Sequence, residues 1–197
     1  MKVKASLVIA IVLISIWSLN SCAPGKSDSQ IAESMSKDSV VNLVKRGQYL
    51  VTILGCNDCH SPKHMGPHGP EIDSLNMLSG FPANNPVPVV DPGMIKKGLV
   101  VFSGDLTCST GPWGTTFAAN ITSDETGIGN WTEEQFKKAL REGKDKGLDN
   151  GRMIMPPMPW QDFTHLTDAD LKAIFYYLKS TRPFKNVPPP FRPAAAS

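Results

Sequence analysis

The sequence predicts a mainly α fold, with a few helices packed on one another and long ordered loops between them. Three observations carry this expectation. Apolar residues recur at three- and four-residue steps in Val40–Leu54, Glu133–Glu142 and Thr167–Lys179. Two of these stretches open with capping signatures, Thr132 with Gln135 and Thr167 with Asp170. The 17 prolines and 16 glycines favour loops over dense secondary structure. With 197 residues, 41% hydrophobic and 19% charged, the composition suits one soluble domain with tails. The formal charge of +2 includes Lys2 and Lys4, which lie in a segment expected to be removed. Without them the balance is near zero, which argues against nucleic acid and strong electrostatic steering.

Taken in order, Met1–Lys4 is a short basic start and Ala5–Leu19 is almost wholly apolar. As a helix that run spans about 22 Å, short of the roughly 30 Å hydrocarbon core of a bilayer. The pattern is that of a signal peptide. It ends in Leu19-Asn20-Ser21-Cys22, which resembles a bacterial lipobox with Cys22 as the residue to be acylated. The alternative is an ordinary secretory cleavage site beside an incidental cysteine. Residues 1–21 are therefore expected as a lipoprotein signal peptide and 22–38 as a flexible tether.

The first helix is expected over Val40–Leu54, with Asp38 or Ser39 as N-cap. Gly47 in its interior costs about 1 kcal/mol, which points to close packing against another helix. Cys56-Asn57-Asp58-Cys59-His60 follows. Cysteines at i and i+3 and a histidine at i+4 project from one face of a helical turn. Two thiols and an imidazole so placed are the attachment signature of a covalent c-type haem: Cys56 and Cys59 bond its vinyl groups and His60 reaches the iron. A redox dithiol would leave His60 unexplained. A zinc site would need a second pair, and the remaining cysteines are Cys22 and Cys108.

Ser61–Ala119 is the least regular stretch, of a length without helix that is usually functional or a structured insertion. His64 and His68 follow His60 at four-residue steps, but Pro62, Gly66 and Pro67 interrupt any helix, so they read as loop histidines. Gly66-Pro67 and Gly69-Pro70 are candidates to offer a carbonyl to His60 Nδ1. Gly98–Ser109 reads as a β-hairpin turning at Ser103-Gly104-Asp105, with Cys108 a small buried residue of the return strand.

Met153-Ile-Met-Pro-Pro-Met-Pro-Trp160 is the second stretch that carries chemistry. A methionine thioether closes the sixth position of a haem iron and raises its potential. Met158, held between prolines, is the preferred ligand. Met153 and Met155 are expected to pack, and packing is also the alternative for Met158. Arg182–Ser197 is rich in proline, without periodicity, and reads as an extended tail.

The order of helix, Cys-x-x-Cys-His, loops, methionine and final helix resembles the class I c-type cytochromes. Gly111-Pro112-Trp113-Gly114, Asn120-Ile121-Thr122, Thr126-Gly127-Ile128-Gly129, Trp131-Thr132 and Pro157-Met158-Pro159 resemble the haem modules in cytochrome subunits of bacterial membrane-bound dehydrogenases. The resemblance covers about Val44 to Thr181. It implies one haem c, thioether-linked at Cys56 and Cys59, with His60 and Met158 as axial ligands. Those subunits often carry three such modules, whereas this sequence has one Cys-x-x-Cys-His. Trp113 and Asn120 are placed either at the haem propionates or in packing and turn formation. The expected architecture is a class I cytochrome c-like domain over residues 39–181, with a β-hairpin and long insertion, and a tail over 182–197. The expected function is single-electron transfer between a redox donor and acceptor, such as a dehydrogenase or respiratory complex, by a non-enzymatic, periplasm-facing lipoprotein. Ala23 after Cys22 favours the outer membrane. A haem enzyme of the peroxidase or oxidase type, and a haem-based sensor or binding module, are the alternatives.

Overall fold

The computed structural model describes residues 28–194. Cys22 and the expected signal peptide lie outside the described residues. Two compact units divide between Ser39 and Val40. In the first, the described residues are helical, the opening part of α1 (Asp28–Ile53). Residues 28–38, expected as part of a tether, are helical. Gln30, Ala32, Glu33, Met35 and Lys37 are good helix formers, and no proline or glycine interrupts them.

The second unit holds the remaining elements: α2 (Cys56–His60), β1 (Lys63–Gly66), β2 (Gly69–Ile72), α3 (Pro92–Lys96), β3 (Val101–Phe102), β4 (Cys108–Gly111), β5 (Gly114–Phe117), α4 (Glu133–Glu142), α5 (Trp160–Phe163), α6 (Asp168–Ser180) and β6 (Arg192–Pro193). Helix and sheet are mixed, and the expectation of a mainly α fold understates the strands. The insertion holds the expected hairpin, shorter than foreseen: Val101 pairs with Thr110 and Phe102 with Ser109. It also holds an unforeseen hairpin, β1–β2, and a further strand, β5, that pairs with β4. Short strands rich in Gly, Ser and Thr carry no apolar alternation, so periodicity alone passes over them.

α4 begins at the Thr132–Gln135 capping box, present in both directions, and stops at Gly143 in the left-handed conformation, as the sequence indicates. α6 begins with Thr167 accepting from the Asp170 amide. The core joins Leu50 and Val51 of α1, Phe136 of α4 and Leu171, Ala173, Ile174, Phe175 and Leu178 of α6, with Leu78 and Ile128 from the loops. Phe136 and Phe175 stack at 5.5 Å between centroids. Gly47 is needed for this packing. A Cβ there would run into the Ala173 carbonyl and the Tyr177 side chain, 2.6 Å from its Cβ. Arg46 Nε donates to Asp170 Oδ1 at 2.9 Å beside the same crossing.

The C-terminal segment is tied down along its length. Asn186 Nδ2 donates to the Ser79 and Phe81 carbonyls at 2.8 Å each, and its Oδ1 accepts from the Ala83 amide at 3.0 Å. Further on, β6 pairs with β5 and completes an antiparallel sheet ordered β3-β4-β5-β6. The side-chain amide of Asn120 sits between the two segments. Its Nδ2 donates to Thr126 Oγ1 and to the Phe184 and Asn186 carbonyls, while its Oδ1 accepts from the Thr122 amide and hydroxyl. These bonds assign Asn120 to turn formation rather than to a haem propionate.

Candidate haem site

α2 is one helical turn entered through Gly55, whose φ of 70° lets α1 end and the chain turn sharply. Cys56, Cys59 and His60 share its face and all three are half-buried. Both thiols are free. Burial pushes Cys56 up to about 11, with the nearby Asp58 carboxylate adding to the rise. Cys59 is raised by burial as well, against the opposing pull of the Lys63 ammonium. A redox-active dithiol needs a lowered thiol pKa. Both thiols here move the other way, which disfavours the dithiol reading.

His60 is fixed at two points. Its Nδ1 pairs with the Ala119 carbonyl oxygen at 2.7 Å, and since a carbonyl can only accept, Nδ1 carries the proton and Nε2 the lone pair. Its own carbonyl accepts from the Gly80 amide at 2.8 Å. Burial lowers the imidazole's pKa, with the Ala119 bond acting in the opposite sense. The ring is thus kept neutral and oriented, as a metal-ligating histidine requires. The bonding carbonyl comes from Ala119 rather than from Gly66-Pro67 or Gly69-Pro70, which are engaged in and around the β1–β2 turn.

Five residues that positional reasoning missed complete this cradle. Ser61 is fully buried; its hydroxyl donates to Asn57 Oδ1 and accepts from the Leu78 amide. Gly80, at a φ of 77°, runs against Ala118 and Ala119, and a Cβ there would lie 2.6 Å from the Ala119 oxygen that holds His60. Leu78 and Phe81 lock the same strip of chain through the Ile121 to Leu78 and Phe81 to Ala118 backbone bonds. Apart from the Ser61–Asn57 bond across one helical turn, these pairings join residues far apart in the chain, so no local pattern marks them. The fifth is Lys63, beside α2.

The methionine stretch is held from both sides. The Ile154 amide donates to the Gly143 carbonyl at 2.7 Å, and Thr116 Oγ1 to the Pro156 carbonyl at 3.0 Å. Met155 and Met158 are half-buried and Met153 is exposed. Trp113 Nε1 is buried without a hydrogen-bond partner, a free donor of the kind that takes an acidic oxygen. His64 and His68 are exposed, and among the described residues no group of three His, Cys, Asp or Glu side chains could hold a metal ion.

Two thiols and an oriented, neutral imidazole on one turn are the donor set that a covalently attached c-type haem takes. The orphaned indole N–H fits a haem carboxylate. These residues fit the group.

The chain matches no protein-family model. It is similar to the cytochrome c subunit of alcohol dehydrogenase (quinone) of Gluconobacter oxydans (strain 621H), 29% identical over 169 residues, covering 85% of this chain and 27% of that protein. It is 31% identical over 152 residues to the gluconate 2-dehydrogenase cytochrome c subunit of Pantoea cypripedii, covering 77% of this chain and 25% of that one. With the fructose dehydrogenase cytochrome subunit of Gluconobacter japonicus it shares 38% identity over 136 residues, 68% of this chain and 20% of that protein. The chain thus spans about a quarter of the length of these relatives, which are cytochrome subunits of dehydrogenases.

Proposed function

We propose that this protein is a mono-haem c-type cytochrome with a class I-like fold that passes single electrons between a dehydrogenase and an acceptor. The observation that carries the reading is His60. Its Nδ1 proton is committed to the Ala119 carbonyl, which leaves Nε2 available on the same turn as Cys56 and Cys59. In this reading the two cysteines form thioethers, His60 Nε2 is the proximal ligand and Met158 Sδ the distal one. Haem supplies reversible one-electron exchange at the iron. The chain's own residues hold the imidazole neutral, keep the methionine segment anchored through Thr116 and Gly143, and offer the Trp113 N–H to a propionate. Iron held by both His60 and Met158 would leave no place for peroxide or oxygen to bind, which favours a carrier over an enzyme. The similarity to dehydrogenase cytochrome subunits supports a dehydrogenase as electron donor.

The same proposal places the protein on a membrane through Cys22, acylated after removal of residues 1–21 and facing the periplasm, with the outer membrane as the favoured site. Stable anchoring takes at least two acyl chains, each buried CH₂ contributing about 0.8 kcal/mol. The test is isolation from the native membrane under mild crosslinking, followed by stopped-flow mixing. Rapid reduction by a co-isolated dehydrogenase supports the carrier. Saturable turnover of peroxide or a small donor by the isolated protein would defeat it. Mass spectrometry is expected to find Cys22 as an acylated N-terminus.

A further inference from the structure

Lys63 stands three residues beyond His60, at the start of β1. Its ammonium donates to the carbonyl oxygens of Asp58 at 2.7 Å, Asp105 at 2.9 Å and Ser61 at 3.0 Å, with Asn57 O at 3.5 Å. An ammonium has three protons, and three short acceptors use them all. The acceptors are backbone dipoles. Among the described residues no carboxylate forms an ion pair with Lys63. The Asp105 carboxylate is engaged by the Ser103 and Thr107 hydroxyls and the Thr107 amide. The positive charge is therefore held in place without an ion-pair contact, and at the Cys59 thiol its pull outweighs the opposing push of the Asp58 carboxylate. Surface lysines behave otherwise: they move with solvent, and salt screens them.

Two of the four carbonyls belong to α2 and one follows it directly. They lie at the C-terminal end of a helix of five residues, where carbonyls run short of intrahelical partners; Asn57 O accepts from the Ser61 amide as well. The fourth, from Asp105, lies 42 positions away in the β3–β4 turn. The side chain thus ties the turn of the insertion to the element that bears both cysteines and the histidine. The same charge acts on the neighbouring Cys59 thiol, pulling it down against burial.

We propose that Lys63 is a positioning residue and a fixed cation for the redox group on α2, joining the insertion to α2 and raising that group's reduction potential. The inference rests on the haem reading above. When the haem takes one electron from its donor protein, its net charge falls by one. A nearby cation that cannot relax away stabilises the reduced form more than the oxidised form. Its immobility follows from the three carbonyls.

The experiment is an equilibrium redox titration of the haem-loaded protein in three forms: wild type, Lys63→Arg and Lys63→Met. Lys63→Met is expected to lower the equilibrium constant for reduction about threefold to tenfold, a tenfold change being 59 mV for one electron. Lys63→Arg keeps the charge and alters the hydrogen-bond geometry, and it is expected to keep most of the wild-type potential. An unchanged potential in Lys63→Met, or equal shifts in both variants, overturns the proposal. If Lys63→Met does not accumulate as folded protein, ¹⁵N NMR of the reduced wild type decides. A slowly exchanging lysine ammonium signal, lost in Lys63→Arg, is expected, and its absence overturns the proposal. Haem staining on a denaturing gel separates the two readings. A protein without covalent haem fails the functional proposal itself; covalent haem with a potential indifferent to Lys63 fails this inference alone.

Discussion

Replacing Gly80 by alanine should damage the support of His60 without touching any ligand. Gly80 adopts a φ of 77°, and a Cβ added there would lie 2.6 Å from the Ala119 oxygen and 2.5 Å from its carbonyl carbon. The left-handed backbone costs a non-glycine residue about 1–2 kcal/mol. The backbone displacement forced by overpacking costs roughly 1–3 kcal/mol more. Together the loss is about 2–5 kcal/mol. Gly98 separates the two contributions, since its φ is 84° and nothing lies within 4 Å of its Cβ position. Gly98→Ala should therefore lose only the backbone part, about 1–2 kcal/mol. The assay is guanidinium denaturation of the haem-loaded protein, followed in parallel by far-UV dichroism and haem absorbance. The displaced carbonyl is the one that holds Nδ1, so the absorbance of the ligated haem should be lost earlier in Gly80→Ala than in Gly98→Ala. Equal destabilisation by the two substitutions would refute the steric argument and with it the role given to Gly80.

Met158→Ala should open the iron to carbon monoxide or cyanide and lower its potential, whereas Met155→Ala should do neither. The opposite pattern, read by absorbance and redox titration, would move the ligand to Met155. Asn186→Ala removes three side-chain hydrogen bonds at a buried position, at about 0.5–1.5 kcal/mol each. A loss of roughly 2–4 kcal/mol in chemical denaturation is expected, and less than 1 kcal/mol would mean that the C-terminal segment does not brace the 79–83 strip. The Arg46 guanidinium hydrogen bond holds the Asp170 carboxyl below the usual carboxylate range. Its contribution is present above the unfolded-state pKa and fades as pH falls through the folded one. Arg46→Gln should remove that part of the acid dependence, worth under about 1 kcal/mol for a half-exposed pair. An unchanged stability difference between pH 7 and pH 3 would show that the pair contributes nothing. A variant with both Cys56→Ala and Cys59→Ala should lack a cooperative thermal transition, because a tightly held group stabilises the folded state.

The parts of this protein legible in the sequence are those whose partners are close along the chain. Cys56, Cys59 and His60 share a face because a helical turn places i, i+3 and i+4 together, whatever surrounds them. Thr132–Gln135 and Thr167–Asp170 mark helix starts for the same reason, and the stripe of Leu171, Ile174, Phe175 and Leu178 marks a buried face. Gly47, a glycine inside a helix, signals close packing from the sequence, and the fold supplies α6 as its partner. Tertiary structure decided everything that depends on a carbonyl or amide arriving from elsewhere. The oxygen on His60 Nδ1 comes from Ala119, 59 positions on, and a backbone carbonyl has no residue-specific signature. β5 and β6 meet because the C-terminal segment is drawn back by Asn186 and Asn120, although its prolines read as an unpaired tail. Lys63 in the sequence is one lysine among many; only the fold converges four backbone carbonyls on its ammonium. Side-chain spacing encodes local geometry, whereas backbone groups are chemically alike at every position, so their long-range pairings emerge only when the chain is packed.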